Sequence, residues 1–173
     1  DLGLQWTAFN KNDPCKYMTK AAKLAKEKLA PVKEHIEFNR KLREDFALSQ
    51  GLEWSQDGFT VVRTAFREDP TWEPCGLDSS YVGKNCRFLV IDDPVDAKMS
   101  PDAMLAAHDK IFGEALNILE AGGIAIFILT RKAPEDIGAC LEGPCPFCET
   151  NHSAMVKVID YGKAFLEGDF TRE

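Results

Sequence analysis

The chain has 173 residues, of which 45% are hydrophobic and 28% charged, and its formal net charge is −7. This length and composition suit one ordinary domain with a sizeable core and exclude a disordered chain. No run approaches the roughly 18 apolar residues of a membrane-spanning helix, and no signal peptide is visible. We therefore expect no membrane partner and a cytoplasmic location. The chain begins at Asp1 rather than Met, so we expect upstream sequence to have been removed or left out.

Charge is distributed unevenly along the chain. Residues 11–44 contain ten Lys and Arg against five Asp and Glu, so they carry +5 and the remainder carries −12. A basic helical region over residues 11–50 is consistent with a solvated helix face. The same charge would also suit contact with nucleic acid or an acidic partner.

The first third of the chain is predicted to be mostly helical. Residues 4–9 predict a short strand, and residues 15–29 are rich in Ala, Lys and Leu, which favours a helix. Pro31 is expected to interrupt that helix. Residues 32–48 then predict a second helix.

The middle of the chain contains the clearest strand. Residues 58–65 predict a strand, and residues 67–84 contain enough Pro and Gly to predict a long loop. Residues 88–91 are all apolar, which is typical of a strand buried on both faces inside a parallel sheet. Two adjacent carboxylates, Asp92 and Asp93, follow this strand directly.

A helix and a second apolar strand follow. Ser100 offers an N-cap and Pro101 a first helical position, and apolar residues recur at helical spacing up to residue 119. Gly122 and Gly123 predict the end of that helix. Residues 124–129 form a second apolar strand, which ends at Thr130. Further along, residues 134–140 predict a short helix and residues 155–159 a strand.

The central strand, helix and strand form a βαβ unit, which implies parallel strands. The expected fold class is therefore α/β, a mostly parallel sheet with flanking helices and a small zinc-knuckle-like segment near the C-terminus. The predicted divisions are residues 1–139, residues 140–152 for the Cys/His knuckle, and residues 153–173 for a C-terminal strand and tail.

Ligands of open α/β sheets bind just past the carboxyl ends of strands, where Asp92, Asp93 and Thr130 are expected to lie. An apolar strand ending in two Asp is the Walker B pattern, in which one carboxylate helps to hold Mg²⁺ and the other orients the attacking water. Strand-end acids also form turns and caps, and Asp93 precedes Pro94. The Thr130 hydroxyl would bind phosphate or water, or serve only as a strand-end hydroxyl.

Residues 83–95 and 122–131 together resemble the Walker B region and the coupling motif of phage terminase large subunits, the ATPases that package DNA into capsids. The resemblance covers residues 58–141. It implies a P-loop ATPase-like fold, with Asp92 as Mg²⁺ ligand in Mg-ATP binding, Asp93 as the catalytic carboxylate and Thr130 as the coupling residue. It also implies ATP hydrolysis coupled to movement of double-stranded DNA, and other motor or capsid subunits as partners within a larger assembly. For a viral protein of this kind, the expected cytoplasm is that of a host cell.

The chain departs from that family in having no Walker A motif. Its Gly83-Lys84 pair precedes a strand rather than a helix, so it does not fit a phosphate-binding loop. The alternative hypothesis is a non-catalytic, zinc-stabilised α/β module that acts as a structural or partner-binding subunit.

Cysteines supply the second chemical signal. Cys145 and Cys148 enclose Pro-Phe in a typical zinc-knuckle turn, and Cys140 and His152 would complete a closed, structural Cys₃His site. Other interpretations stay open: a Cys145–Cys148 redox pair, free thiols, or a secreted disulfide protein. The remaining cysteines, Cys15, Cys75 and Cys86, could form disulfides with those of the knuckle. Cys75 or Cys86 could also replace Cys140 as a zinc ligand.

Overall fold

The computed structural model describes residues 2–96, 98–130, 134–148 and 152. The chain divides into two compact units, Asp1–Thr130 and Arg131–Glu173. The described part of the first unit is an α/β structure, with a six-stranded mixed sheet and flanking helices. The expectation of an α/β chain with a mostly parallel sheet is confirmed.

The sheet has the strand order β2-β3-β4-β1-β5-β6. The strands are β1 Cys15–Thr19, β2 Gln50–Trp54, β3 Phe59–Val61, β4 Trp72–Gly76, β5 Cys86–Asp92 and β6 Leu119–Ile128. The helices are α1 Leu2–Phe9, α2 Ala22–Phe38, α3 Arg40–Phe46, α4 Pro101–His108 and, in the second unit, α5 Ile137–Glu142. β4, β1, β5 and β6 pair in parallel, and β2 and β3 add an antiparallel edge.

One core lies where α1 and α2 cover the sheet. Trp72 is fully buried, and its indole N–H donates to Thr7 Oγ1 at 2.7 Å. Phe88 meets Trp72 edge to face and stacks on Trp6 with ring centroids 4.3 Å apart. These aromatic contacts join the first helix to two strands of the sheet.

The central strand β1 buries a lysine. Lys16 is only 1% exposed, and its ammonium group pairs with Glu73 and, at 3.2 Å, with Asp69. Glu73 lies directly opposite Lys16 in the register of β1 and β4, and it also pairs with Lys84. An unpaired buried charge would be costly, so this network holds the register of the two strands.

The βαβ unit at the centre of the chain is confirmed. β5 is buried over Phe88 to Ile91 and pairs in parallel with β6. Ser100 caps α4 by accepting from the Ala103 N–H, and Pro101 occupies the first turn. The strand-end residues Asp92 and Ile128 lie opposite each other.

Two predictions near the N-terminus are wrong. Residues 4–9 belong to helix α1 rather than a strand, because a short apolar run fits either element and packing on Phe88 decides. Residues 15–29 are not one helix: β1 occupies Cys15–Thr19 and α2 begins at Ala22. A lysine in a strand normally indicates a position that faces solvent. Lys16 is buried instead, because acids that are distant in sequence stabilise its charge.

Pro31 was expected to separate two helices, yet α2 runs through it to Phe38. Proline removes one helical hydrogen bond, but Leu29, Val32 and Ile36 are buried on both sides of it. Tertiary packing therefore overrides the local preference. The predicted second helix over residues 32–48 is instead the end of α2 followed by α3.

The sheet extends into segments predicted otherwise. The strand expected over residues 58–65 is limited to Phe59–Val61, and it pairs with an unpredicted strand, β2. The loop predicted over residues 67–84 contains β4, although β4 includes Pro74. β3 pairs with β4 only at Phe59 and Trp72, so most of β4 has a ladder on one side, where proline is tolerated.

The helix that begins at Pro101 does not end at the predicted glycine pair. A π-helical segment over Asp109–Ala115 and a 3₁₀ turn over Leu116–Ile118 follow α4, and β6 starts at Leu119. Gly122 has a φ of +75°, and a Cβ on Gly123 would lie 2.9 Å from the Glu120 carbonyl oxygen. The glycines therefore permit an irregularity of the β5–β6 register rather than a helix stop.

In the second unit, the short helix predicted over residues 134–140 is α5, displaced to Ile137–Glu142. Asp136 caps it by accepting from the Ala139 N–H at 3.1 Å. The strand predicted over residues 155–159 lies outside the described residues. Among the helices described, none combines the length and apolar character needed to cross a membrane.

The Lys16 network predicts a pH-dependent stability. Burial raises the pKa of Glu73, but hydrogen bonds and charges from Lys16 and Lys84 outweigh it, so the pKa lies below its ordinary value of 4.5. This stabilisation is present above pH 4.5 and is lost as the pH falls through the lower folded-state pKa. Glu73→Gln should lower the free energy of unfolding at pH 7 by on the order of 3 kcal/mol.

Denaturant unfolding at a series of pH values measures both effects. Glu73→Gln should also give a shallower loss of stability on acidification than the wild type. Glu53→Gln, on the exposed edge strand β2, is the matched control and should change little. An equal loss in the two variants would contradict the role assigned to the network.

Candidate functional site

The carboxyl ends of β5 and β6 bring two of the predicted site residues together. The Asp93 N–H donates to the Ile128 carbonyl at 2.9 Å, and the Thr130 N–H donates to Asp93 Oδ1 at 3.1 Å. Asp93, at the end of β5, therefore contacts the end of β6 twice, through its backbone N–H and through its side chain. Thr130 is exposed at this edge.

Asp93 has an unusual backbone. Its φ is +40°, in the left-handed region that non-glycine residues rarely adopt. Pro94 follows and is buried. The turn after β5 therefore stores some backbone strain at the residue that receives the Thr130 amide, an arrangement that is common at functional sites.

Asp92 has a different environment from Asp93. The Tyr17 hydroxyl donates to Asp92 Oδ2 at 2.8 Å, and Lys28 Nζ lies 3.7 Å from the same oxygen. Burial, and then the contact with Asp92, raise the pKa of Tyr17 well above its usual value. Sequence reasoning missed Tyr17 and Lys28, because both fell within the stretch predicted as one helix.

A second lysine lies near this edge. Lys20, just after β1, pairs with Asp96 in the loop after β5, and both side chains are about half exposed. Such a pair contributes little stability. It nevertheless ties the β1–α2 connection to the loop that carries Asp92 and Asp93.

The β1–α2 connection is too short for a phosphate-binding loop. It consists of Lys20 and Ala21, and Ala21 provides no side-chain cap for α2. The Gly83-Lys84 pair lies one residue before β5, and Lys84 pairs with Glu73 at the opposite end of the strands from Asp92. Neither segment forms a phosphate-binding loop at the Asp92 edge.

The second unit holds a cysteine–histidine cluster. The ligand atoms of Cys145, Cys148 and His152 all lie within 4.8 Å of one another. Cys148 Sγ is 3.3 Å from His152 Nε2, and Cys140 Sγ, on α5, is 3.0 Å from Cys145 Sγ. All four predicted zinc ligands are therefore in one neighbourhood.

The chemistry of these groups suits a zinc ion. Zn–S bonds of about 2.3 Å place tetrahedral ligands about 3.7 Å apart, so small shifts would accommodate the metal. Burial alone would raise the pKa of Cys145, but hydrogen bonds from Cys140 and the Phe147 N–H lower it, which favours the metal-binding thiolate. The Cys140 thiol has a raised pKa, mainly through burial.

The other cysteines lie in the first unit. Cys15, Cys75 and Cys86 are buried in β1, β4 and β5. All six cysteines of the chain are among the described residues, and none of them forms a disulfide. Burial raises the pKa of Cys75 to about 11 and of Cys86 to about 12, as expected for inert core thiols.

In the first unit, His108 ends α4 and is buried, with Nδ1 3.0 Å from Asp109 Oδ1. Its ring is also 4.9 Å from the Phe112 ring, between centroids. A carboxylate that hydrogen-bonds to one ring nitrogen fixes the orientation of the imidazole, an arrangement that is usual for metal-binding histidines.

Comparison with known proteins gave no further identification. No protein-family profile matches the chain, and no curated protein matches it.

Loss of a thiolate should remove the metal from the cluster. Cys148→Ser should lower zinc affinity by more than about 100-fold, because changes beyond the ligands themselves already cost about 10- to 100-fold. Atomic absorption of purified protein, with a chelator competition, measures content and affinity.

Cys75→Ser is the matched control, since Cys75 is a buried thiol of the first unit. It should retain the zinc content of the wild type. Equal zinc content in Cys148→Ser and the wild type would rule out Cys148 as a ligand.

Proposed function

We propose that the chain is a terminase-like ATPase domain that contributes the Mg²⁺-binding and coupling residues of a viral DNA-packaging motor. The observation that carries this proposal is the hydrogen bond from the Thr130 amide to the Asp93 carboxylate. It connects the proposed catalytic carboxylate of Asp93 to the end of β6, where the proposed coupling residue Thr130 lies. A displacement of one strand end would therefore move the other.

The donor groups fit Mg²⁺. Carboxylate oxygens are the ligands that this hard cation prefers, and Asp92 and Asp93 are adjacent at the carboxyl edge of the sheet. Asp92 would be the metal ligand in this proposal. Bound there, Mg²⁺ would supply charge neutralisation for nucleotide phosphates.

The described residues do not fit ATP by themselves, because the β1–α2 connection has no phosphate-binding loop. ATP hydrolysis therefore requires that loop from polypeptide outside the described residues. The role that this chain retains is to hold the cation at Asp92 and to position a carboxylate at Asp93.

Double-stranded DNA and other motor or capsid subunits are the proposed partners. The basic character of α2 gives limited support, because several of its lysines contact the protein itself. Lys26 pairs with Asp57, Lys28 approaches Asp92, and Lys33 donates to the Trp54 and Ser55 carbonyls. The DNA partner is thus supported mainly by the resemblance to terminases.

The second candidate is a non-catalytic, zinc-stabilised module. The cysteine–histidine cluster favours it, as does the β1–α2 connection without a phosphate loop. A titration with a fluorescent ATP analogue, on protein of known zinc content, separates the candidates. Zinc without nucleotide binding supports the module, whereas micromolar nucleotide binding supports the ATPase.

The ATPase proposal predicts the effect of Asp93→Asn. Replacing the carboxylate that would orient the attacking water should lower DNA-stimulated ATP hydrolysis by about 100-fold or more. The measurement is phosphate release by the longest natural form of the protein, with and without double-stranded DNA.

Asp102→Asn, an exposed acid in the first turn of α4, is the control and should keep full activity. Hydrolysis by Asp93→Asn at the wild-type rate would show that the assignment of Asp93 is wrong. Circular dichroism of both variants establishes that the fold is retained.

A further inference from the structure

The environment of Asp92 carries an inference about how a cation reaches it. The Asp92 side chain is only 13% exposed, and two side chains of the described residues, Tyr17 and Lys28, contact its Oδ2. One comes from a neutral hydroxyl, Tyr17, and the other from an ammonium group, Lys28. The carboxylate therefore has a positive charge beside it before any metal binds.

The two contacts differ in how firmly they are held. The Tyr17 hydroxyl donates at 2.8 Å from the central strand β1, so its position is fixed by the sheet. Lys28 Nζ lies at 3.7 Å, beyond hydrogen-bond distance, and its side chain is 50% exposed on α2. The Lys28 side chain can therefore move into solvent at little cost, whereas the Tyr17 hydroxyl stays beside Asp92.

We propose that Lys28 is the resident counter-ion of Asp92 and is displaced when a divalent cation binds that carboxylate, while Tyr17 keeps hold of Oδ2. The inference rests on the proposed function in one respect, that Asp92 is the cation ligand. It adds that cation binding is an exchange of one positive charge for another. The exchange keeps the largely buried carboxylate neutralised in both states.

Removal of Lys28 should strengthen cation binding. Because the half-exposed Lys28 is only a loosely held competitor for the same oxygen, Lys28→Gln should bind Mn²⁺ about two- to fivefold more tightly than the wild type. Electron paramagnetic resonance of Mn²⁺ titrated into the full chain measures this affinity without nucleotide or turnover. Asp92→Asn should lose the site.

Lys23→Gln is the matched control, because Lys23 is an exposed lysine of the same helix. It removes the same charge from α2 but should leave Mn²⁺ affinity nearly unchanged. The proposal is overturned if Lys28→Gln binds no more tightly than Lys23→Gln, or if Mn²⁺ binding at Asp92 is undetectable in both the wild type and Lys28→Gln.

A second measurement follows Lys28 directly. Acylation of its amine, read by mass spectrometry, should accelerate when Mg²⁺ saturates the protein, while acylation of Lys23 should stay constant. A Lys28 rate that does not respond to a bound cation also overturns the proposal.

These results separate the inference from the proposed function. Tighter Mn²⁺ binding in Lys28→Gln without ATP hydrolysis would keep the exchange and refute the ATPase. Hydrolysis that depends on Asp93, with Lys28 insensitive to the cation, would keep the ATPase and refute the exchange.

Discussion

The first unit depends on the charge that is buried in its central strand. Lys16 can lie within β1 only because Glu73 and Asp69 bring negative charge to it from β4 and the segment before it. Glu73 also pairs with Lys84, in the segment before β5. One carboxylate of β4 therefore pairs with a lysine of β1 and with a lysine of the segment that leads into β5. A slip of one residue between β1 and β4 would leave these charges without partners.

Alternation along β1 gives its two neighbouring side chains separate roles. Lys16 and Tyr17 point to opposite faces of the sheet, because successive side chains of a strand alternate. Lys16 meets the acids that fix the strand, and Tyr17 meets Asp92 near the carboxyl edge. The register that stabilises the sheet thus also places a hydroxyl against the site.

The sequence was sufficient for features that depend on local chemistry. The buried strand β5, the Ser100 cap and the meeting of Asp93 with Thr130 follow from apolar runs, capping residues and parallel pairing. β1, β4 and the passage of α2 through Pro31 could not be predicted, since each depends on distant partners. Lys16 needs acids some 50 residues away, as its spacing to Asp69 and Glu73 shows. Tyr17 and Lys28 were missed at the site for the same reason.

The left-handed backbone of Asp93 has a consequence for protein engineering. A stability-guided redesign would choose glycine or asparagine at this position, because both adopt positive φ more readily than aspartate with its charged side chain. Either choice would relax the turn while removing the carboxylate, and glycine would also remove the oxygen that accepts the Thr130 N–H. Selection for thermostability alone would therefore remove the carboxylate from this edge of the sheet, and a library built on this scaffold should hold position 93 fixed.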